Sequence, residues 1–220
     1  MSIHSQALGV DVVKLIDIAA IRQGVAFRSK LEHDPDGKIS VVQAKDIGAD
    51  VRLDLKNVAR LKDLGFSARH RLALGDVVIQ ARGVNYPVAL VEADLGEAIA
   101  AAPLYVIRCN DDRTSAAYLA QYLAHPATQS QLRLQATGTY VPQLSRAAIN
   151  EIEILLPPPD EQYQFIELML LVKRERELSN RLSDLRLKEL WARLTHGTDV
   201  IKSSRGTAQI PQRRTKSANP

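Results

Sequence analysis

Asp36 and Lys45 flank the strand-like run Ile39–Gln43, and an acid and a lysine so placed are part of what metal-dependent phosphodiester cleavage uses. That chemistry calls for two acids and a lysine around the scissile phosphate. Where the second acid would stand, the chain has Gln43, and Asp34-Pro35-Asp36-Gly37 is also an ordinary turn sequence ahead of a strand. An adenine methyltransferase would need a glycine-rich cofactor loop after an N-terminal strand, and an Asn-Pro-Pro or Asp-Pro-Pro run ending in an aromatic. Here Pro157-Pro158-Pro159 follows Leu156 and precedes Asp160, and the glycine-rich loop is missing. There is no P-loop and no Gly-x-Ser-x-Gly elbow, and the five histidines (His4, His33, His70, His125, His196) stand singly, without metal-ligand spacing. The lone Cys109, at the end of the strand-like Leu104–Arg108, cannot form an internal disulfide and reads as a buried structural thiol. These residues predict a non-catalytic protein with no cofactor or metal of its own.

Charge narrows the classes further. The chain has 220 residues, a formal charge of +4 and a pI near 9.2. Beyond Thr195 there are five basic residues (Lys202, Arg205, Arg213, Arg214, Lys216) against Asp199 alone, a surplus equal to the whole net charge. The rest balances 24 basic with 24 acidic side chains, so any basic surface on the folded part must be local. The longest nearly uncharged stretch, 98–109, is too short to span a bilayer, and no export signal opens the chain, which predicts a soluble cytoplasmic protein without a membrane partner.

The elements that must position any site follow from punctuation and periodicity. Strand patterns fall at 12–16, 39–43, 77–81, 88–91 and 152–156, and helical patterns at 115–124, 128–134 and after Ser145. Regular strand–helix alternation is missing, so the expected fold class is α+β, an irregular mixed domain over 1–159, rather than a doubly wound sheet. Three prolines then end the last strand, and Asp160 with Glu161 favours a helix start. No Gly or Pro interrupts until Gly197. One long C-terminal helix over 160–196 is expected, followed by a basic tail over 197–220 with too few apolar residues to order itself.

Along this helix Leu171, Leu178 and Leu185 recur every seven residues, with Leu168 and Leu182 between them, while charged side chains take the other faces. That is a narrow coiled-coil seam for one partner helix. Glu175 and Glu189 interrupt it. The apolar arc widens at the start (Phe165, Ile166, Met169, Leu170, Val172) and at the end (Leu187, Leu190, Trp191, Leu194), as where a helix end rests on a globular body. Two such helices running antiparallel satisfy both patterns; the alternative is an ordinary core helix folded back on its own domain.

The chain resembles the specificity subunits of type I restriction-modification systems over most of 12–194. The resemblance is carried by Val13-Lys14-Leu15-Ile16-Asp17-Ile18-Ala19, Val41-Val42-Gln43-Ala44-Lys45-Asp46-Ile47 and Leu74-Gly75-Asp76-Val77-Val78-Ile79-Gln80-Ala81-Arg82-Gly83. Its most specific part is Gly138-Thr139-Tyr140-Val141-Pro142-Gln143-Leu144-Ser145, followed by Ile152-Glu153-Ile154-Leu155-Leu156-Pro157-Pro158 and Glu161-Gln162. Family members have two target recognition domains and two antiparallel helices; this chain has one of each and resembles a half-length form.

The resemblance implies a homodimer that reads a bipartite inverted repeat in double-stranded DNA. Adenine methyltransferase subunits, carrying S-adenosylmethionine, would dock along the helices, and a translocating restriction subunit would join them. Leu168, Leu171, Leu178, Leu182 and Leu185 become the dimer and partner positions. Base reading needs donors and acceptors on loops at strand ends, which selects Arg28, Lys30, Lys45, Arg82, Asn85, Tyr86, Thr139 and Tyr140, with Gln135 and Thr137 beside the last two. A helical adaptor or decoy, binding methyltransferase or specificity subunits without reading DNA, is the alternative.

Overall fold

The computed structural model describes residues 9–205 apart from 30, 49, 63 and 64, and of 195–205 the backbone alone. Its elements are β1 (Asp11–Lys14), α1 (Leu15–Ile18), β2 (Ala19–Gln23), β3 (Ile39–Val42), β4 (Ala59–Leu61), β5 (Val77–Gln80), β6 (Val88–Leu90), β7 (Ala98–Ala100), β8 (Leu104–Cys109), α2 (Ala116–Ala124), α3 (Pro126–Gln135), α4 (Arg146–Asn150), β9 (Glu153–Leu156) and α5 (Pro159–Arg205). The predicted α+β class and the long C-terminal helix are both present. The strand expected over 12–16 stops at Lys14, where Leu15 and Ile18 turn into the core as one helical turn.

Three sheets form. The central one has the order β2-β8-β5-β6, all antiparallel; a second, β4-β3-β7, pairs β3 with β7 in parallel; a third joins β1 to β9. Alternation along the central strands explains the layering. Val77, Ile79, Tyr105 and Ile107 face the helices, while Val78, Leu104 and Val106 face the second sheet. Burial on both faces is why Val77-Val78-Ile79 reads as an unbroken apolar run. The second sheet repeats the device, with Val42, Ala98 and Ala100 turned inward and Ile39, Val41 and Ile99 turned outward beneath Phe27 and Phe66.

The helical layer is fixed by caps. Ser115 Oγ accepts from Tyr118 N at 3.4 Å, Ser145 Oγ accepts from Ala148 N at 3.0 Å, and Pro126 opens α3 where its missing N–H costs nothing. Asp76, wholly buried, accepts from Arg108 Nε at 2.6 Å and Nη2 at 2.7 Å, from Arg22 Nη2 at 3.2 Å and from Ala73 N at 2.9 Å. Both guanidiniums also reach the Arg71 carbonyl, so this cluster pins the 3-10 turn Ala68–His70 to the sheet. Burial lowers the pKa of Arg22 and the bonds to Asp76 raise that of Arg108.

Helix α5 begins at Pro159, the helical position proline favours, with Asp160 and Glu161 in its first turn. It continues through Gly197 to Arg205, 47 residues or about 70 Å at 1.5 Å per residue. The expected stop at Gly197 is therefore corrected: one glycine inside a helix costs about 1 kcal/mol relative to alanine, which a long flanking helix absorbs. Residues 206–220 of the expected tail lie outside the described residues. The chain divides into two compact units at Leu168/Met169 rather than at 159/160. The first helical turns belong to the globular unit because Gln162 is buried in it, Ile166 packs on its core and Phe165 meets Tyr118 edge-on at 5.6 Å.

Candidate nucleic-acid interface

The loops that carry the candidate residues emerge at strand ends and are tied to one another through the turn at Ala101–Pro103. Val25 N donates to Ala100 O at 2.7 Å and Ala102 N to Val25 O at 2.9 Å, which fixes the loop leading to Arg28. Gly24 is required there, since a Cβ would lie 2.7 Å from the carbonyl carbon of Ala101. Ala101 N donates to Val42 O at 2.8 Å, which holds the end of β3 just before Lys45. From the other side, Ala81 N donates to Pro103 O at 3.0 Å. Leu144 N donates to Ala81 O and Gly83 N to Pro142 O, so the Arg82–Asn85 loop lies against the Gly138–Gln143 loop. Five segments far apart in sequence thus form one connected string.

Within that string Arg28, Lys45, Arg82, Asn85 and Thr139 are exposed, and Tyr140 is 98% exposed. Among the described residues Arg28, Lys45 and Arg82 form no salt bridge, whereas Arg22, Arg52, Arg71, Arg108 and Arg113 each do. Free cations on loops are what phosphate contact requires. Lys45 sits in a 3-10 turn, Ala44–Asp46, fixed by a capping box in which the buried carboxylate of Asp46 accepts from Gln43 N at 2.8 Å. Burial pushes the Asp46 pKa up, and that bond and Lys45 oppose the rise. Phe27, Ser29, Gln43 and Lys45 line a groove of about 490 Å³ beside Ala101–Pro103.

One of the expected DNA-reading positions is contradicted by its burial, and another is not described. Tyr86 is completely buried in the main core, its backbone held by the Gln129 amide through bonds of 3.3 and 2.9 Å, so it is a core residue and not a DNA contact. Tyr86 lies just before β6 and joins Val88 in the main core. Lys30 lies outside the described residues. Gln43, Ser29 and Gln143 were missed as candidates. Gln143 pairs with both Arg82 and Thr137 in isolated bridges, and its place in the Thr139–Leu144 run was the available signal.

Asp36 and Lys45 stand on different turns. Asp36 lies in an Asx turn, its N–H donating to Asp34 Oδ1 at 3.0 Å, before β3, and Lys45 follows β3. The two therefore lie off opposite ends of that strand. No group of three or more metal-ligating side chains occurs among the described residues, and no helix there is long and apolar enough to cross a membrane. Cys109 is half-buried, and that burial pushes its thiol pKa up to about 11.

On α5 the seam positions Leu168, Leu171, Leu178, Leu182 and Leu185 are between 48% and 67% exposed, and none of residues 169–194 is buried.

Comparison with known proteins gives concordant matches. No curated protein matches. The S subunit of a type I restriction-modification system from M. genitalium matches with a TM-score of 0.52 at 12% identity, covering 77% of this chain and 40% of that one. The HsdS subunit from Thermoanaerobacter tengcongensis matches at 0.53 and 19%, covering 76% and 38%. A structure describing complex assembly and conformational transition of the type I R-M system matches at 0.56 and 18%, covering 76% and 39%. These likenesses show the fold, and the chain spans about two fifths of the length of the solved chains it matches. The model of the type I restriction modification DNA specificity domain covers residues 8–184, globular body and most of the described helix together, and the chain belongs to that family.

Proposed function

We propose that this chain is a non-catalytic specificity subunit with one target recognition domain, which reads half of a bipartite inverted repeat in double-stranded DNA and completes the site by homodimerising. The observation that carries the reading is the string of loops on which Arg28, Lys45, Arg82, Asn85, Thr139 and Tyr140 are exposed together in a chain of the specificity-domain family. Unpaired cations set the register on the phosphates, and the amide and hydroxyl groups discriminate base edges. A two-fold axis between protomers imposes an inverted repeat with an unread spacer.

The exposed leucines of α5 supply the surface for the second copy, in antiparallel register. Adenine methyltransferase subunits, which bring S-adenosylmethionine, dock along the paired helices, and a translocating restriction subunit joins in the cytoplasm. Footprinting of the chain with its methyltransferase partner is expected to protect two half-sites separated by an unprotected spacer. Uniform binding abolished by salt would overturn the reading. The same exposed leucines also favour an adaptor or decoy; methyltransferase capture without any sequence preference selects that version.

A further inference from the structure

Tyr140 stands on the loop between Thr137 and Leu144, with almost its whole ring in water. The loop is braced at its neck. Thr137 and Gln143 exchange backbone bonds of 3.0 and 2.8 Å, Gly83 N donates to Pro142 O at 2.9 Å, and Leu144 N donates to Ala81 O at 2.8 Å. Gly138 turns the chain at φ +114°, where a Cβ would come within 2.9 Å of the Val141 carbonyl oxygen. An exposed aromatic ring on so constrained a backbone has little conformational entropy left to lose on binding.

Its surroundings indicate the kind of partner. Val141 beside it is 45% exposed, and on the adjoining loop Val84 is 72% exposed and Arg82 is exposed and makes no salt bridge among the described residues. A flat π surface on one loop and an exposed guanidinium on the loop bonded to it match a polymer that presents aromatic faces and phosphates at alternate positions. Groove edges alone would leave the ring faces bare.

We propose that Tyr140 stacks on a base face at an opened step of duplex DNA while Arg82 holds the neighbouring phosphate. This rests on the DNA-reading function above and adds a second source of specificity, the deformability of the step that opens. Stacking on a base in a duplex requires unstacking it first, so the interaction favours steps that part easily, such as pyrimidine–purine steps.

The test begins with selection of duplexes from a randomised pool by the full chain. The recovered duplex is then titrated against the wild type, Tyr140→Phe, Tyr140→Ala and Tyr140→Trp, with far-ultraviolet circular dichroism confirming that each variant is folded. Tyr140→Phe is expected to bind within about two-fold of wild type and Tyr140→Ala about ten-fold or more weaker. The introduced indole should be strongly quenched on binding, against a wild-type background whose one tryptophan is Trp191. Wild-type affinity in Tyr140→Ala, or an unquenched indole with the duplex bound, overturns the stacking and leaves DNA reading intact. Recovery of no enriched sequence overturns DNA reading and the stacking with it.

Discussion

The side-chain oxygen of Gln162, in the first turn of α5, accepts a 2.9 Å hydrogen bond from the backbone N–H of Ser115, the residue that caps α2. Its Nε2 donates to Arg113 O at 2.7 Å and to Pro157 O at 2.8 Å, so one buried amide ties together the start of two helices and the end of the last strand. Tyr118 Oη adds a 2.6 Å bond to Leu155 O, directly beneath Phe165.

Replacing Gln162 with Ala strands a buried N–H and two carbonyls. The expected destabilisation is about 3 kcal/mol, because each unsatisfied partner costs about 1–3 kcal/mol and some of them recover water. Urea unfolding of the variant checks this; a loss below about 1 kcal/mol would mean that the amide does not hold the junction.

Asp76→Asn removes the counter-charge from Arg22 and Arg108 while keeping the size of the side chain. Breaking a buried ion pair costs about 3–5 kcal/mol, and the partial exposure of both guanidiniums reduces the expectation to about 2 kcal/mol. Calorimetry on the purified variant gives the value, and an unchanged transition temperature would contradict the role assigned to Asp76.

Cys109 makes a pH-dependent contribution whose sign follows from burial. Its folded pKa is raised from the ordinary 9.0 to about 11, so the folded state keeps the proton longer than the unfolded one. Stability from this group is full below pH 9 and falls as pH rises from about 9 to about 11. Cys109→Ala should flatten the urea midpoint over that window, and wild-type Cys109 should react with a thiol reagent at pH 8 only after denaturant is added. Rapid labelling of the native protein would contradict this.

Arg28→Ala, Lys45→Ala and Arg82→Ala, combined, should weaken binding to all duplexes alike and reduce the slope of log affinity against log salt by about 0.9 for each phosphate no longer neutralised. A changed sequence preference at unchanged slope would assign these side chains to bases instead.

Leu178→Glu with Leu182→Glu places like charges on the proposed seam. Sedimentation equilibrium should move from twice the 24.3 kDa protomer mass to a single protomer. The melting of the globular unit should stay unchanged, since both leucines are about half exposed. A variant that keeps the doubled mass would refute dimerisation through these leucines.

What the sequence disclosed depended on whether a cause was local. Val77-Val78-Ile79 and Leu104–Arg108 are apolar and β-branched or aromatic enough to read as strands unaided. Ala98–Ala100 carries no such signal and is a strand because β3 pairs with it in parallel. The α5 start was legible from its prolines and acids, while its passage through Gly197 was hidden by a residue that usually marks an end. Arg82 and Tyr140 were legible as loop residues; that their loops touch is set by the long-range bonds from Gly83 and Leu144. Tyr86 read as a loop residue because it stands beside Gly83 and Asn85, and its burial with Val88 is set by long-range packing.

The stacking of three cores has an evolutionary corollary. Phe27, Ile39, Val41 and Phe66 close an outer core that shares no residue with the one surrounding Tyr118, Ile154 and Ile166 near the helix root. Substitutions beneath the loop of Arg28 can therefore accumulate while the Gln162 junction stays unaltered. A lineage built on this plan can vary the loop that carries Arg28 while the root of α5 stays as it is.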